Sequence, residues 1–417
     1  MSRPILLVSA SALLFGLIAL VIGSVHVEVA NGTPREVPAQ ASGASIQPPT
    51  GQPPTGTWIF AVSGDSRDCG DLVVPTLAAK IAKDSPQFYW HLGDFRLMYG
   101  IDEDMQCGPA HEHDRIHYVL HAWRDFIKNQ ASAFDKTPVF LGIGNHEMVF
   151  REDREDFIEK FRPWLDNATV REQRLKDNPK DNHVRTYYHW MIRGIDFINL
   201  DNAGTSLRPS ELAFEEAQLA WFEEVLNRDA ADPKVKTIVL GMHAALPFSI
   251  SAGHSMNQSE EGAATGARVY DALWNWQTQT RKHAYVLASH SHFYMENIFN
   301  TDKLKDKVLP GWIVGTAGAH RYPLPSGPDG WKNAKDARTN VYGYLLGTVN
   351  PDGVIKFEFH EVGPEDVPSA VAKQFDPGFV DWCFKQNTDC ADDDRHCEVA
   401  AQPKYDYATG IAKLHCK

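Results

Sequence analysis

Four imidazoles, two carboxylates and a carboxamide stand where five short apolar runs of this 417-residue chain end. In chain order the segments are Gly64-Asp65-Ser66-Arg67, Gly93-Asp94, Gly144-Asn145-His146-Glu147, Met242-His243 and Ser289-His290-Ser291-His292. One polar residue at the end of an apolar run says little. Together, Asp65, Asp94, Asn145, His146, His243, His290 and His292 offer the mixed nitrogen and oxygen donors that hold metal ions. Such donors suit Zn, Mn, Fe or Co and do not choose among them.

Those donors must be carried to one place by the elements before them. Each segment follows a stretch rich in β-formers, at residues 58–62, 88–92, 139–143, 237–240 and 284–288. Strand ends along one sheet edge send their loops into a shared crevice, where open α/β sheets place ligands. On an extended segment, side chains two apart share a face, so His290 and His292 point the same way, as do Asp65 and Arg67. Helical periodicity runs through residues 71–83, 114–128, 209–226 and 266–280. Residues 311–316, 342–349 and 354–360 read as strands, the last two joined by the turn Asn350-Pro351-Asp352-Gly353. The alternation predicts an α/β domain whose sheets are covered by helices.

The order and content of the five segments resemble the calcineurin-like metallophosphoesterase superfamily, whose pattern runs Asp-x-His, Gly-Asp, Gly-Asn-His-Asp/Glu, His and Gly-His-x-His. The resemblance spans residues 58–362 and implies two packed mixed β-sheets flanked by helices. It also implies hydrolysis of a phosphomonoester or phosphodiester in a small phosphorylated substrate. Two divalent or trivalent metal ions would take part, with a bridging hydroxide as nucleophile. By the same resemblance Asp94 would bridge both ions. Asn145, His243 and His290 would complete one shell, and Asp65 and His292 would hold the other ion. His146 would donate a hydrogen bond or proton to the phosphoryl group or leaving oxygen. The alternative is a catalytically weak or inactive relative that uses the scaffold to bind a phosphoryl ligand or a partner.

Arg67 departs from the pattern. Most members carry a metal-ligating His there, whereas a guanidinium stays protonated and cannot ligate. Purple acid phosphatases also lack that His and supply a Tyr three residues after the second motif's Asp. Here that position is Leu97, and Tyr99 lies two residues further on. The second metal position is therefore expected to be weak unless a bulged loop brings Tyr99 to it. Arg67 itself reads either as a clamp for phosphate oxygens or as the partner of Asp68 or Asp71.

Other polar residues carry two readings each. His254 would either reach substrate or lie on the surface, and His320 would either bind substrate or serve the fold. Glu147 would orient His146 or pair with Arg151. Asp201 would do similar supporting work or cap a loop. Substrate choice would rest on the loops at 100–113, 166–182 and 323–339.

The chain divides into a signal peptide or N-terminal membrane anchor at 1–30, a Pro/Gly/Ser-rich linker at 31–57, the domain at 58–362 and a cysteine-containing tail at 363–417. Arg3 precedes the uncharged run at residues 5–23, which either is cleaved after export or stays in the bilayer. The catalytic part is expected outside the cytoplasm: periplasmic, extracellular or membrane-anchored. Six cysteines in an exported chain suggest disulfides. Cys69 and Cys107 fall in the domain and four more in the tail, which is expected to be solvated and stapled rather than to hold a small metal site. Forty-one Lys and Arg against 54 Asp and Glu give a net charge of −13, which disfavours nucleic-acid binding by bulk charge.

Overall fold

The computed structural model describes residues 56–149, 153–204, 212–251, 253–391 and 394–399. The apolar run at 5–23 and the linker up to residue 55 lie outside them. Among the described residues, no helix is long and apolar enough to cross a membrane.

The β-branched and aromatic runs form the strands β1 (Trp58–Ser63), β2 (Tyr89–His91), β3 (Val139–Leu141), β4 (Tyr188–Ile192) and β5 (Ile195–Asn199). The next strands are β6 (Thr237–Gly241), β7 (His283–Ala288), β8 (Tyr294–Glu296), β9 (Gly311–Val314) and β10 (Leu324–Pro325). The last are β11 (Asp336–Arg338), β12 (Tyr342–Val349), β13 (Ile355–Val362) and β14 (Glu398–Val399). One mixed sheet has the order β13-β12-β1-β2-β3 and a second has β11-β8-β9-β7-β6-β5-β4, while β10 and β14 form a separate pair. In both sheets the central strands are parallel, β1 with β2 and β3, and β5 with β6, β7 and β9.

Aromatic side chains from the two sheets fill the space between them. Phe140 stacks on Trp190 at 4.0 Å between centroids, and Phe60 meets Phe197 edge-on at 5.0 Å. Rings of this size bury much apolar area and dominate the packing energy. Gly241 is required here, because a Cβ on it would lie 2.1 Å from the Trp90 ring. The outer face of the second sheet is covered by the helices Glu216–Ala231 and Glu260–Thr280. The helix Gly70–Asp84 covers the outer face of the first. The result is two packed mixed sheets between layers of helix.

Three differences from the expected elements have physical causes. The helix expected at 209–226 runs from Glu216 to Ala231, and residues 205–211 lie outside those described. Residues 166–182, expected as a loop, contain the helix Ala168–Asp177, started by Asn167, whose side chain accepts from the Val170 amide. Only Val170 and Gln173 of that helix are buried, so its sequence carries little periodicity. The described part of the segment after Val362 is not a solvated tail. Its helix Pro377–Lys385 buries Phe379, Trp382 and Cys383 in one cluster with Leu72, Val73 and Leu77.

The cysteines follow that packing. Cys69, at the start of the helix Gly70–Asp84, is bonded to Cys383, and Cys390 to Cys397; Cys107 is bonded as well. A pairing confined to the four late cysteines is thus excluded. Replacing both Cys69 and Cys383 by Ser reopens a 314-residue separation and is expected to cost about 2–5 kcal/mol. Denaturant unfolding measures this, and an unchanged midpoint would show that side-chain packing alone holds the C-terminal helix.

Candidate metal centre

The loops after β1, β2 and β7 turn unusually sharply. Asp65, Asp94 and His290 all sit in the left-handed region, with φ of 60°, 57° and 65°. Non-glycine residues rarely adopt it, and it persists only where the surroundings hold it. Here the loops hold one another: the Asp65 amide donates to the Gly93 carbonyl at 3.0 Å and the Ser66 amide to that of Asp94 at 2.9 Å. The His290 amide donates to Asp65 Oδ2 at 2.7 Å. Glu147 gathers the middle of the site, its carboxylate accepting from the amides of Asp94, Phe95 and Gly144, each at 2.8 Å. Burial and the neighbouring Asp94 push the Glu147 carboxyl up to about 8. Gly144 has no alternative, since a Cβ there would lie 2.2 Å from Asp94 Oδ1.

Four lone-pair atoms converge beside this frame. His243 Nδ1 lies 3.1 Å from the Leu92 carbonyl, so that nitrogen donates and Nε2 presents its lone pair. Around Nε2 stand Asn145 Oδ1 at 3.0 Å, His290 Nδ1 at 3.0 Å and Asp94 Oδ1 at 3.3 Å. These spacings approach the edge of about 3.4 Å in a tetrahedron with bonds of about 2.1 Å. Two oxygen acceptors and a second imidazole this close to Nε2 are satisfied by a positive charge among them. Burial works against charge on His243, but Asp94 prevails and pushes it up to about 9. A proton or a metal ion meets the same demand, and the donor set fits one ion.

The other side of Asp94 is built differently. His292 Nδ1 donates to the His320 carbonyl at 2.6 Å, leaving Nε2 as acceptor 3.3 Å from Asp65 Oδ1. Arg67 Nη2 fills that need, donating to His292 Nε2 at 3.0 Å and to the Tyr322 hydroxyl at 3.2 Å. Arg67 Nη1 donates to His146 Nε2 and, at 3.5 Å, to the Tyr99 hydroxyl. Burial opposes the Arg67 charge, but Tyr322, Tyr99, Asp68 and Asp94 together hold its pKa well above the ordinary value. Among the described residues no carboxylate makes an ion pair with Arg67, so neither Asp68 nor Asp71 is its partner. Its terminal nitrogens find partners in the protein, while Nε–H has none among the described residues.

The remaining candidates separate cleanly. His146 donates Nδ1–H to the Leu97 carbonyl at 2.6 Å and accepts at Nε2; burial and then Arg67 push it down to about 4. As it stands in the structure, its Nε2 faces Arg67 as an acceptor. His254 stands at the site, its ring 5.2 Å from that of His290 and 5.1 Å from that of Tyr322. The His320 ring points away, to Asn387 and Asp389 at 3.0 Å each, while its carbonyl orients His292. Asp201 pairs with Arg154 and takes no part. Sequence reasoning missed Tyr322, which touches both Arg67 and His292; no motif marks it, although it lies two residues beyond His320. A cavity of about 410 Å³ lined by Arg174, Trp221 and Arg228 lies elsewhere and contains none of these residues.

The model of the family described as calcineurin-like phosphoesterase matches residues 64–294. No curated protein matches the chain significantly. Solved structures resembling it include one of PhoD, at 15% identity over 74% of this chain and 72% of that one, with a TM-score of 0.44. A purple acid phosphatase from yellow lupin seeds matches at 13% identity over 74% and 52%, also with a TM-score of 0.44. GAP50 of Plasmodium matches at 11% identity over 73% and 85%, with a TM-score of 0.41.

Two expectations test the geometry. An ion at His243 displaces its Nε2 proton, so affinity is expected to rise about tenfold per pH unit between pH 6 and 8 and to level off near 9. Metal titrations across that range decide it, and a flat profile would show that Nε2 carries no proton. Glu147→Ala strands three buried amides, with an expected cost of about 3 kcal/mol and a 10–100-fold loss of metal affinity. Unfolding with an unaltered metal titration would confine Glu147 to the fold.

Proposed function

The chain belongs to the calcineurin-like phosphoesterase family, and from that premise we propose that it is an exported, metal-dependent hydrolase of phosphomonoesters or phosphodiesters. The observation that carries the reading is the set of lone pairs on Asp94, Asn145, His243 and His290 around one point. A bound ion would make a nucleophile of water at neutral pH and offset charge on the phosphoryl oxygens.

The chain's own residues prepare that chemistry. Asp94, Asn145, His243 and His290 would hold the ion, with Leu92 fixing the tautomer of His243. On the far side of Asp94, Arg67 keeps a permanent positive charge against His292 and His146, where a phosphoryl group would need it. His254 beside His290 and Tyr322 would meet the substrate. The acidic net charge favours a small phosphorylated substrate over a nucleic acid. Export is supported by the uncharged run at 5–23 and by the disulfides, which persist in oxidising compartments.

A second reading, a scaffold that binds phosphoryl groups without turnover, is favoured by the engagement of both terminal nitrogens of Arg67. One experiment separates the two. With metal supplied, Asp94→Ala is expected to lower hydrolysis of aryl phosphate mono- and diesters about a thousandfold, or some 4 kcal/mol of barrier. Near-UV circular dichroism checks that the fold persists. A metal-loaded wild type without turnover would leave the binding scaffold; an active Asp94→Ala would remove this site from the chemistry.

A further inference from the structure

We propose that this centre takes a single tightly held metal ion, at Asp94, Asn145, His243 and His290, and that the Arg67 guanidinium stands in for the second. The inference rests on the metal-dependent reading above and specifies how the site is charged.

The two sides of Asp94 differ in what their lone pairs meet. Around His243 Nε2 stand two oxygen acceptors, Asn145 Oδ1 and Asp94 Oδ1, together with His290 Nδ1, and among the described residues no Arg or Lys side chain hydrogen-bonds any of these atoms. Around His292 Nε2 the acceptor is already served by an Arg67 N–H at 3.0 Å. A nitrogen 3.0 Å from His292 Nε2 stands at the spacing of two ligands on one ion, so Arg67 occupies a ligand position with a donor that cannot ligate. Both terminal nitrogens are anchored: His292 and Tyr322 take one, and His146 and Tyr99 take the other. A guanidinium tied at both terminal nitrogens does not swing aside to admit an ion.

Charge points the same way. Asp65 and Asp94 are fully buried, and Asp65 Oδ1 and Asp94 Oδ2 receive no hydrogen bond. One divalent ion with the guanidinium sets three positive charges against these two carboxylates. Two ions with the guanidinium would set five, with no added carboxylate in contact. A divalent ion about 4 Å from the guanidinium is repelled by about 8 kcal/mol at an effective dielectric near 20, enough to weaken its affinity by several orders of magnitude. Asp65, which holds His290 through its amide and stands 3.3 Å from His292 Nε2, then acts as a brace and not as a metal ligand.

The test counts ions in the full chain. The stripped protein is equilibrated with Mn(II), its bound metal measured by elemental analysis, and spin coupling read by electron paramagnetic resonance. Wild type is expected to bind one Mn per chain with an uncoupled signal. Arg67→His, which removes the charge and supplies a ligand, is expected to bind two with a coupled signal. Arg67→Met, which removes only the charge, is expected to tighten a second site at least tenfold. It also decides the matter, with the wild-type count, if Arg67→His fails to fold. Two ions of similar affinity in wild type would overturn the inference and leave the hydrolytic reading standing. One ion in wild type and still one in both folded variants would also overturn it, since Arg67 would not be what excludes the second. No ion in any of the three would remove the metal-dependent reading itself.

Discussion

The arrangement depends on the buried negative charge of Asp94. Its carboxylate is shared between the two halves of the centre, 3.3 Å from His243 Nε2 on one side and 3.6 Å from His146 Nε2 on the other. Burial raises the energy of such a charge steeply, and proteins tolerate it only where positive charge or donors compensate. Much nearby follows from that requirement. The His146 amide donates to Asp94 Oδ1, Glu147 ties the Asp94 backbone, and Gly144 gives up its side chain so that the carboxylate fits. Arg67 brings a fixed cation from the end of β1.

Strain and support are distributed accordingly. The left-handed turns at Asp65, Asp94 and His290 each cost about 1–3 kcal/mol. Loop-to-loop hydrogen bonds and the parallel strands beneath compensate, so the donors are aimed before any ligand arrives. Support extends beyond the two sheets. Arg321 donates to the carbonyls of Cys383, Phe384 and Asn387, which ties the C-terminal helix to the loop whose His320 carbonyl orients His292.

What could be read in the sequence was whatever repeats locally. Strand ends followed by Gly-Asp, Gly-Asn-His or Ser-His-Ser-His declare both the sheet and the side chains at its rim, and the structure brings those side chains to one place. Phe375, Phe379 and Trp382 recur at helical spacing in the C-terminal segment, a signal overshadowed by the cysteines and carboxylates around it. What was not legible depends on pairs far apart in the chain. The partners of Arg67 are Tyr99, His146, His292 and Tyr322, separated from it by 32, 79, 225 and 255 residues. Nothing in the spacing near residue 67 distinguishes a clamp from an ion pair or from the guanidinium found between two imidazoles. The helix Ala168–Asp177 was hidden for a different reason: it lies on the surface, where few positions need to be apolar.

The bridge between Cys69 and Cys383 closes most of the domain into a covalent ring. Asp94, Asn145, His243, His290 and His292 lie on the ring, while Asp65 and Arg67 sit on the loop that leads from β1 into it. A single backbone cut anywhere between the two cysteines leaves one linked molecule, whose fragments part only on reduction. Mechanical load on the leading segment first meets β1, which lies outside the ring and pairs with β12 and β2 inside it, and then reaches the sulfur atoms. Arg67, two residues from that junction, lies on the loaded side, so tension on the leading segment reaches the guanidinium before it reaches the donors around His243.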